Sequence, residues 1–361
     1  MSLVLDQVSK RVGPSDHIVD VSLRLEKGSL NVLLGPTLSG KTSLMRLMAG
    51  LDRPTSGSIA FNGVDVTSAP VRGRSVAMVY QQFINYPTMS VFENIASPLR
   101  VMGLPASEIR ERVGVAARLL KLEPMLTRTP LQLSGGQQQR TAIARALVKR
   151  AELVLMDEPL ANLDYKLREE LREELPRIFA STGAIFVYAT TEPSEALLLG
   201  GNTAVLHQGR VAQFGPTSEV YRNPADLNSA AVFSDPPLNR IAAEKSGGML
   251  RFSGGHIPAR GKLASLEDGP CTLGFRAHHL QLADSDADAI KLSGRVTVSE
   301  ITGSESFIHI DAAPHHFVAL AHGVRLYEPG ATIETFVDTR RLFVFDRAGR
   351  LAASPDDMAG A

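Results

Sequence analysis

The sequence predicts an α/β domain followed by a smaller β-rich domain, and three observations support this prediction. Short apolar runs alternate with helical stretches from Leu3 to about Gly215, as in folds built on a parallel sheet. A glycine-rich loop at 35–42 stands between one such run and one such helix. Beyond residue 235 the pattern changes to short alternating segments separated by Gly, Pro and Asp, which is typical of a small barrel or sandwich. We therefore expect domain boundaries of 1–235 and 236–361.

The strands and helices of the first domain can be placed in chain order. Ser29–Gly35, Ala151–Pro159 and Ala184–Thr190 are short apolar runs, which predict buried parallel strands. Residues 165–178 carry apolar side chains at helical spacing, and we expect the charges of their LREELREELPR run to form a solvated helix face. Residues 203–215 predict a hairpin that turns at residues 207–209.

Composition excludes several classes of protein. The 361 residues include 38 Lys+Arg and 38 Asp+Glu, so the net charge is zero and nucleic-acid binding is not expected. A single cysteine, Cys271, cannot form an intrachain disulfide and predicts a small buried side chain. No secretion signal or membrane-spanning run is visible, so we expect a soluble chain or one bound to a membrane-spanning partner.

The glycine-rich loop matches G-x-x-x-x-G-K-[ST], the P-loop pattern. Its backbone N–H groups and the following helix N-terminus would surround phosphates. Lys41 would reach the terminal phosphates, and the Thr42 hydroxyl would ligate Mg²⁺. The alternative is a chance glycine turn. The expected phosphate-binding residues are Gly35, Pro36, Thr37, Leu38, Ser39, Gly40, Lys41, Thr42 and Ser43.

Two carboxylates, Asp157 and Glu158, end the apolar run that begins at Leu153. Asp157 would stand at the carboxyl edge of the sheet, within reach of Mg²⁺. Glu158 would polarise a water that attacks the γ-phosphate. A solvated acidic pair at a strand end is the alternative, and the preceding P-loop favours the functional interpretation.

A second glycine motif identifies a family. Leu133 is followed by Ser134, Gly135, Gly136 and Gln137, which open a helix with a serine cap. This LSGGQ segment, after a P-loop and before the strand with Asp157 and Glu158, resembles the signature of ABC transporter ATP-binding subunits. The resemblance implies an ABC ATPase fold with a helical subdomain at about 82–148. It also implies ATP and Mg²⁺ as cofactors, and two ATPase subunits packed head to tail with each signature over the other's nucleotide.

The same resemblance assigns further residues and partners. Gln81 aligns with the glutamine that touches Mg²⁺ and water, and residues 161–164, ending in Asp164, align with the D-loop that serves the partner's nucleotide. Expected partners are two transmembrane permease subunits and a periplasmic solute-binding protein, at the cytoplasmic face of the bacterial inner membrane. The tail segments GFRAHHLQL and RRLFVFD resemble the OB-like regulatory domain of sugar and glycerol-phosphate (maltose-importer-like) ATPases. The alternative for the tail is a spacer between subunits.

Two positions depart from the family pattern. Val12 stands where an aromatic residue usually stacks on adenine, and Thr191 stands where a switch histidine usually contacts the γ-phosphate. A threonine hydroxyl is shorter than imidazole and cannot carry its second proton. We therefore predict a heterodimer in which this chain's own site is the weaker one, in an importer for a small polyol or sugar-like solute. Glycerol is favoured because the N-terminal stretch resembles one of the two ATPases of bacterial glycerol importers. A mainly regulatory ATP-binding subunit and a homodimeric importer ATPase are the alternatives.

Other residues are not assigned to a site. The histidine pairs 278–279 and 315–316 are predicted to face solvent or pack in the barrel rather than bind a metal. Arg74 and Arg145 are predicted to be ordinary surface or capping charges.

Overall fold

The computed structural model describes residues 2–82, 84–161, 163–283 and 289–355. The chain divides into two compact units, Met1–Thr217 and Ser218–Ala361. The boundary predicted from sequence, between residues 235 and 236, lies further along the chain, inside the second unit.

The first unit is a mixed α/β structure. In chain order it contains β1 (Ser2–Val12), β2 (Ser15–Glu26), β3 (Leu30–Leu34), α1 (Lys41–Ala49), β4 (Ser56–Phe61), β5 (Val64–Asp65), β6 (Val76–Val79), α2 (Val91–Val101), α3 (Ala106–Leu119), α4 (Gly135–Val148), β7 (Leu153–Asp157), α5 (Tyr165–Thr182), β8 (Ile185–Thr190), α6 (Pro193–Leu199), β9 (Asn202–His207) and β10 (Arg210–Pro216).

The central sheet has six strands in the order β10-β9-β3-β8-β7-β6. The strands from β9 to β6 run parallel, and β10 is antiparallel to β9. The predicted strands at β3, β7 and β8 and the predicted hairpin β9–β10 are confirmed. Gln208 and Gly209 have φ values of 47° and 75°, as a tight two-residue hairpin turn requires. The carboxyl ends of β3 and β7 therefore lie at one edge of the sheet.

A second, antiparallel sheet of order β2-β1-β4-β5 covers part of this core. The strands of this sheet alternate buried and exposed residues, as expected for a sheet with one face on the core. Their apolar side chains share one cluster with the side chains of α1 and of β3, β7 and β8. The local sequence pattern does not distinguish the strands of this sheet from those of the central one.

Three helices, α2, α3 and α4, occupy the segment expected to form the helical subdomain. The Ser90 side chain caps α2 by accepting from the Glu93 N–H at 3.2 Å. None of the helices in the described ranges is long and apolar enough to span a membrane.

The second unit is β-rich, as the sequence predicts. After α7 (Thr217–Arg222) it contains α8 (Leu227–Val232), β11 (Asn239–Ser246), β12 (Met249–Phe252), β13 (Gly255–Pro258), β14 (Gly269–Phe275), β15 (Leu280–Gln281), β16 (Ala289–Ile301), β17 (Glu305–Ala312), β18 (His315–His322), β19 (Thr332–Asp338), β20 (Phe343–Phe345) and β21 (Leu351–Ala353).

Two antiparallel sheets enclose the core of this unit. Their strand orders are β13-β12-β11-β14-β20-β21 and β15-β19-β16-β17-β18. Cys271 is buried in the cluster that both sheets share, which confirms its predicted role as a small apolar side chain. In the ranges that the structure describes, no group of three or more His, Cys, Asp or Glu could hold a metal ion.

Candidate functional site

The P-loop joins the end of β3 to the start of α1, and its glycines are explained by close packing. A Cβ on Gly35 would lie 2.4 Å from the Leu206 carbonyl oxygen. Gly40 has φ 106°, and a Cβ there would lie 2.9 Å from the His17 carbonyl oxygen. Since neither position has room for a side chain, the two motif glycines let the loop turn tightly against the sheet.

Lys41 is buried at the centre of the loop. Its Nζ donates to the carbonyl oxygens of Gly35 at 2.7 Å and Pro36 at 3.1 Å, and lies 3.8 Å from the Glu158 carboxylate. Burial lowers the pKa of this ammonium, and the Glu158 charge opposes the shift. The loop thus holds a cation beside the N-terminus of α1, where phosphates bind readily.

Thr42 and Asp157 form a compact pair of oxygen donors. The Thr42 hydroxyl donates to Asp157 Oδ2 at 2.7 Å, and Asp157 is 3% exposed. Burial raises the pKa of the Asp157 carboxyl, while the Thr42 hydrogen bond opposes the shift. A hydroxyl and a carboxylate on adjacent elements fit the hard oxygen donors that Mg²⁺ prefers.

Glu158 lies beside this pair and in contact with Gln81. Gln81 Nε2 donates to Glu158 Oε2 at 3.0 Å, and the Glu158 backbone N–H donates to the Ala189 carbonyl at 3.0 Å. Glu158 has φ 46°, an unusual conformation for a residue with a Cβ. Burial raises the pKa of its carboxyl, and Lys41 opposes the shift. A raised pKa in a cleft suits a proton acceptor.

Asp157 is hydrogen-bonded to Thr42, and Lys41, Thr42, Gln81 and Glu158 meet at one cavity of about 600 Å³. Thr37, Leu38, Gly40, Lys41, Thr42, Ser43, Gln81 and Glu158 line it, together with Asp16, His17, Gln208 and Gly209. The last four were missed by sequence reasoning, because only the β1–β2 hairpin and the β9–β10 turn bring them to the P-loop. Val12, predicted to contact adenine, is half-exposed at the end of β1 and is not among the described residues that line this cavity.

The LSGGQ segment forms the capped start of α4. The Ser134 hydroxyl accepts from the Gln137 N–H at 3.3 Å, and the Gln137 side chain accepts from the Ser134 N–H at 3.0 Å. This reciprocal pattern is a capping box at the N-terminus of α4. None of Ser134, Gly135, Gly136 and Gln137 is among the described lining residues of the Lys41 cavity.

The D-loop segment leads directly into α5. The Asp164 carbonyl accepts from the Arg168 N–H at 2.9 Å. The Arg168 guanidinium also donates to the carbonyls of Ala161 at 3.3 Å and Leu163 at 3.4 Å. Residue 162 lies outside the described residues.

Thr191, at the switch position, is exposed at the end of β8. Its neighbours are held by a buried carboxylate, Glu195, which accepts from the Thr190 hydroxyl at 2.6 Å and the Tyr188 hydroxyl at 3.0 Å. Burial and this carboxylate raise the pKa of Tyr188 well above its usual value. The flanks of Thr191 are therefore fixed, while its own side chain is not among the described residues that line the cavity.

The prediction of a solvated face on α5 is wrong for two arginines. Arg172 donates to Glu195 at 2.9 Å and to Glu192 at 2.5 Å, and Arg168 lies 3.3 Å from Glu192. The acidic partners belong to α6 and its start, about twenty residues along the chain, so helical spacing alone could not reveal them.

The prediction that Arg74 and Arg145 are surface or capping charges holds for Arg74, which caps the last turn of α1, and is wrong for Arg145. Arg74 is half-buried and donates to the Met48 carbonyl at 3.0 Å, and burial lowers its pKa. Arg145 lies 5.3 Å over the Tyr86 ring and donates to the Ile84 carbonyl. Both arginines support the fold around the site rather than a surface charge pattern.

Comparisons with known proteins agree with this geometry. Residues 18–161 match the family described as ABC transporter. The osmoprotective compounds uptake ATP-binding protein GgtA of Synechocystis is 34% identical over 96% of this chain and 98% of that protein. The sn-glycerol-3-phosphate import ATP-binding protein UgpC of Pectobacterium atrosepticum is 35% identical, over 95% of this chain and 97% of that protein.

A solved structure extends the comparison to the fold. The ATP-binding cassette MJ0796, in a dimeric post-hydrolysis state bound to ADP and Pi, is 28% identical and superposes with a TM-score of 0.55. It covers 60% of this chain, and 98% of that structure is matched.

Proposed function

This chain belongs to the ABC transporter ATP-binding family, and from that premise we propose that it binds and hydrolyses ATP to energise an importer of a small polyol. The observation that carries the proposal is the convergence of Lys41, Thr42 and Glu158 on one cavity, with Asp157 hydrogen-bonded to the Thr42 hydroxyl. The names of the relatives, which refer to import of sn-glycerol-3-phosphate and uptake of osmoprotective compounds, support a polyol or sugar-like solute. Glycerol remains our specific prediction.

The residues of the cavity support in-line attack of water on the γ-phosphate. Backbone N–H groups of the P-loop and Lys41 would hold the phosphates and stabilise the charge that develops in the transition state. Mg²⁺, when bound, supplies further neutralisation of that charge, and Thr42, Asp157 and Gln81 would hold it. Glu158 would accept the proton of the attacking water, since its carboxylate lies beside Lys41 and Gln81.

We propose that this chain forms a heterodimer in which its own site hydrolyses slowly. Support comes from Thr191, whose hydroxyl cannot replace the imidazole of a switch histidine. Two observations support binding of a partner's nucleotide by the LSGGQ segment and the D-loop. The capping box of Ser134 and Gln137 is intact, and the Asp164 carbonyl accepts from the Arg168 N–H at the start of α5. The complex would contain a second ATPase subunit, two permease subunits and a periplasmic solute-binding protein, at the cytoplasmic face of the inner membrane.

Glu158→Gln in this chain tests whether its own site contributes to transport. The substitution keeps the shape of the side chain and removes the proton acceptor, so hydrolysis at this site should fall by about 10²–10⁴-fold. In the assembled importer, we expect a measurable but partial loss of solute uptake, with ATP binding retained. The matched control is the same substitution in the partner's corresponding glutamate, which should stop uptake.

A mainly regulatory subunit is the second candidate, and Thr191 is the observation that favours it. Under that function, Glu158→Gln in this chain would leave solute uptake unchanged. A homodimeric importer ATPase would instead show strong hydrolysis by the purified chain alone.

A further inference from the structure

The second unit contains a cavity of about 510 Å³, a volume typical of pockets that take small ligands. Four parts of the chain line it: the turn between β12 and β13, the first half of β16, the hairpin of β17 and β18, and the start of β19. All of these residues belong to the second unit. None of them is a residue of the nucleotide site.

One side of this cavity is a polar main-chain edge, because β16 begins before its neighbour β17 can pair with it. The β16–β17 ladder starts at Arg295 and Asp311, whereas β16 pairs with β19 from its first residue. The Val296 N–H donates to the Ala331 carbonyl, on the β19 side, at 2.9 Å. Since main-chain groups alternate between the two edges of a strand, the N–H and C=O of Ser293 face the edge that β17 leaves uncovered.

Arg295 and Asp311 bring opposite charges to the cavity without pairing with each other. They are directly opposed in the ladder, and both line the cavity. In the ranges that the structure describes, neither side chain has a salt bridge or a hydrogen-bond partner. A third charged lining residue, Lys291, is already paired with the Glu334 carboxylate at 2.7 Å. The cavity therefore offers one cation and one anion to a ligand, and its charges balance.

The opposite character is found in the hairpin of β17 and β18, which supplies aromatic rings. The His315 ring lies nearly parallel to the Phe317 ring, with centroids 5.7 Å apart and planes inclined by 23°. Both residues line the cavity; Phe317 is buried and His315 is half-buried. Such rings give a flat surface on which the C–H groups of a ligand can pack.

This combination of groups indicates the chemistry of the ligand. A small anion would meet the Asp311 carboxylate, and a cation would meet Arg295, so either would leave one buried charge unpaired. A hydroxyl group both donates and accepts hydrogen bonds. A neutral compound with several hydroxyls can therefore satisfy Arg295, Asp311 and the main chain of Ser293 together, while its carbon skeleton packs on His315. The uncovered edge of β16 is too short to add the strand of a peptide, which takes about 3–10 residues.

We propose that this cavity binds a small neutral polyhydroxyl compound, a polyol or a sugar. The site goes beyond the proposed function, because none of the residues that form it takes part in binding or hydrolysing ATP. Its ligand belongs to the chemical class that we propose for the transported solute, but the inference uses only the groups that line this cavity.

Equilibrium dialysis of the purified chain against radiolabelled sorbitol and maltose tests the proposal. Inorganic phosphate and sn-glycerol 3-phosphate are added in parallel as anionic competitors. We expect saturable binding of at least one neutral probe, and neither anion should displace it. ATP binding is measured on the same preparations.

Variants of the two unpaired charges locate the ligand. Arg295→Met and Asp311→Asn should each weaken binding of the neutral probe at least tenfold, because each removes a charged hydrogen-bonding partner. The matched controls are Arg240→Met and Glu244→Gln, at exposed residues of β11 outside the cavity. They should bind the probe as the parent does, and all four variants should bind ATP normally.

A third variant, His315→Ala, leaves both charges in place and removes the aromatic surface. It should weaken binding of the neutral probe several-fold. Thermal unfolding of each variant shows whether the fold is retained, and His315→Ala keeps the proposal testable if a charge variant fails to fold.

Three results would overturn the proposal. The first is that neither sorbitol nor maltose binds saturably to the parent chain. The second is that phosphate or sn-glycerol 3-phosphate displaces the neutral probe, which would show an anion site. The third is unchanged binding in Arg295→Met, Asp311→Asn and His315→Ala, which would place the ligand elsewhere. Loss of ATP binding by the parent would contradict only the proposed function, so the two claims can fail separately.

Discussion

Asp157 illustrates a conflict between stability and function at the scale of one residue. Its carboxylate is buried where Mg²⁺ is expected, and burial raises its pKa. The ionised form is therefore unfavourable in the nucleotide-free fold. Because the folded-state pKa is raised, this destabilisation is absent below the unfolded value of 3.8 and develops as the pH rises through the folded-state pKa.

Asp157→Asn should therefore stabilise the nucleotide-free protein at pH 7. The amide keeps an oxygen acceptor for the Thr42 hydroxyl and removes the buried charge, so we expect a gain of about 0.5–2 kcal/mol in the free energy of unfolding. Urea denaturation at pH 7 and at acidic pH measures this change in the free energy of unfolding. Mg²⁺-dependent hydrolysis of ATP should be lost in the same variant. A variant less stable than the parent at pH 7 would show that burial does not control this carboxyl.

Thr191 is the residue from which we infer slow ATP hydrolysis at this chain's own site. Thr191→His should raise hydrolysis at this chain's own site at least tenfold, because imidazole restores a longer hydrogen-bonding group that can carry a second proton. The rate of ATP hydrolysis by the assembled complex should be measured with the partner's site inactivated. Thr191→Ala is the control and should hydrolyse ATP at the rate of the parent. If Thr191→His is as slow as the parent, another feature limits hydrolysis at this site.

At the scale of elements, the ion-pair cluster between α5, β8 and α6 holds the flanks of the switch position. Arg172 and Glu195 have side chains that are only 11% and 5% exposed, at 2.9 Å. Removing one partner of such a pair leaves the other charge buried, which costs about 3–5 kcal/mol.

Arg172→Met should therefore lower the free energy of unfolding by about 3–5 kcal/mol, because it leaves the Glu195 carboxylate buried without its cation. Arg172→Met combined with Glu195→Ala should lower it by less than the two single effects together. Chemical denaturation of the single and double variants measures the coupling. Glu170→Ala, on the exposed side of α5 with Lys121 at 2.6 Å, is the control and should cost about 1 kcal/mol or less. Strictly additive effects of Arg172→Met and Glu195→Ala would remove the case for a coupled cluster.

Elements specified by nearby residues were predictable, and those specified by distant pairing were not. The P-loop, β7 with Asp157 and Glu158, and the capped α4 follow from local patterns of apolar residues, glycine and a capping serine. The sheet β2-β1-β4-β5 depends on register between segments up to sixty residues apart, such as Leu3 with Phe61. Arg74 and Arg172 likewise satisfy groups far along the chain, and helical spacing carries no information about them.

At the scale of the whole molecule, the chain has zero net charge and divides into two compact units. One cavity is lined by Lys41, Thr42 and Glu158, and the residues of the LSGGQ segment are not among its described lining residues. We propose that the LSGGQ segment serves a nucleotide cavity on a second subunit. The proposed heterodimer supplies that second cavity with a switch histidine that this chain lacks.

The subunit composition of the importer tests this account most directly. The complex should be purified through a tag on this chain, analysed by native mass spectrometry and assayed for ATP hydrolysis. We expect one copy of this chain, one different ATPase subunit and hydrolysis that depends mainly on the partner's site. Two copies of this chain that hydrolyse ATP rapidly would contradict the account.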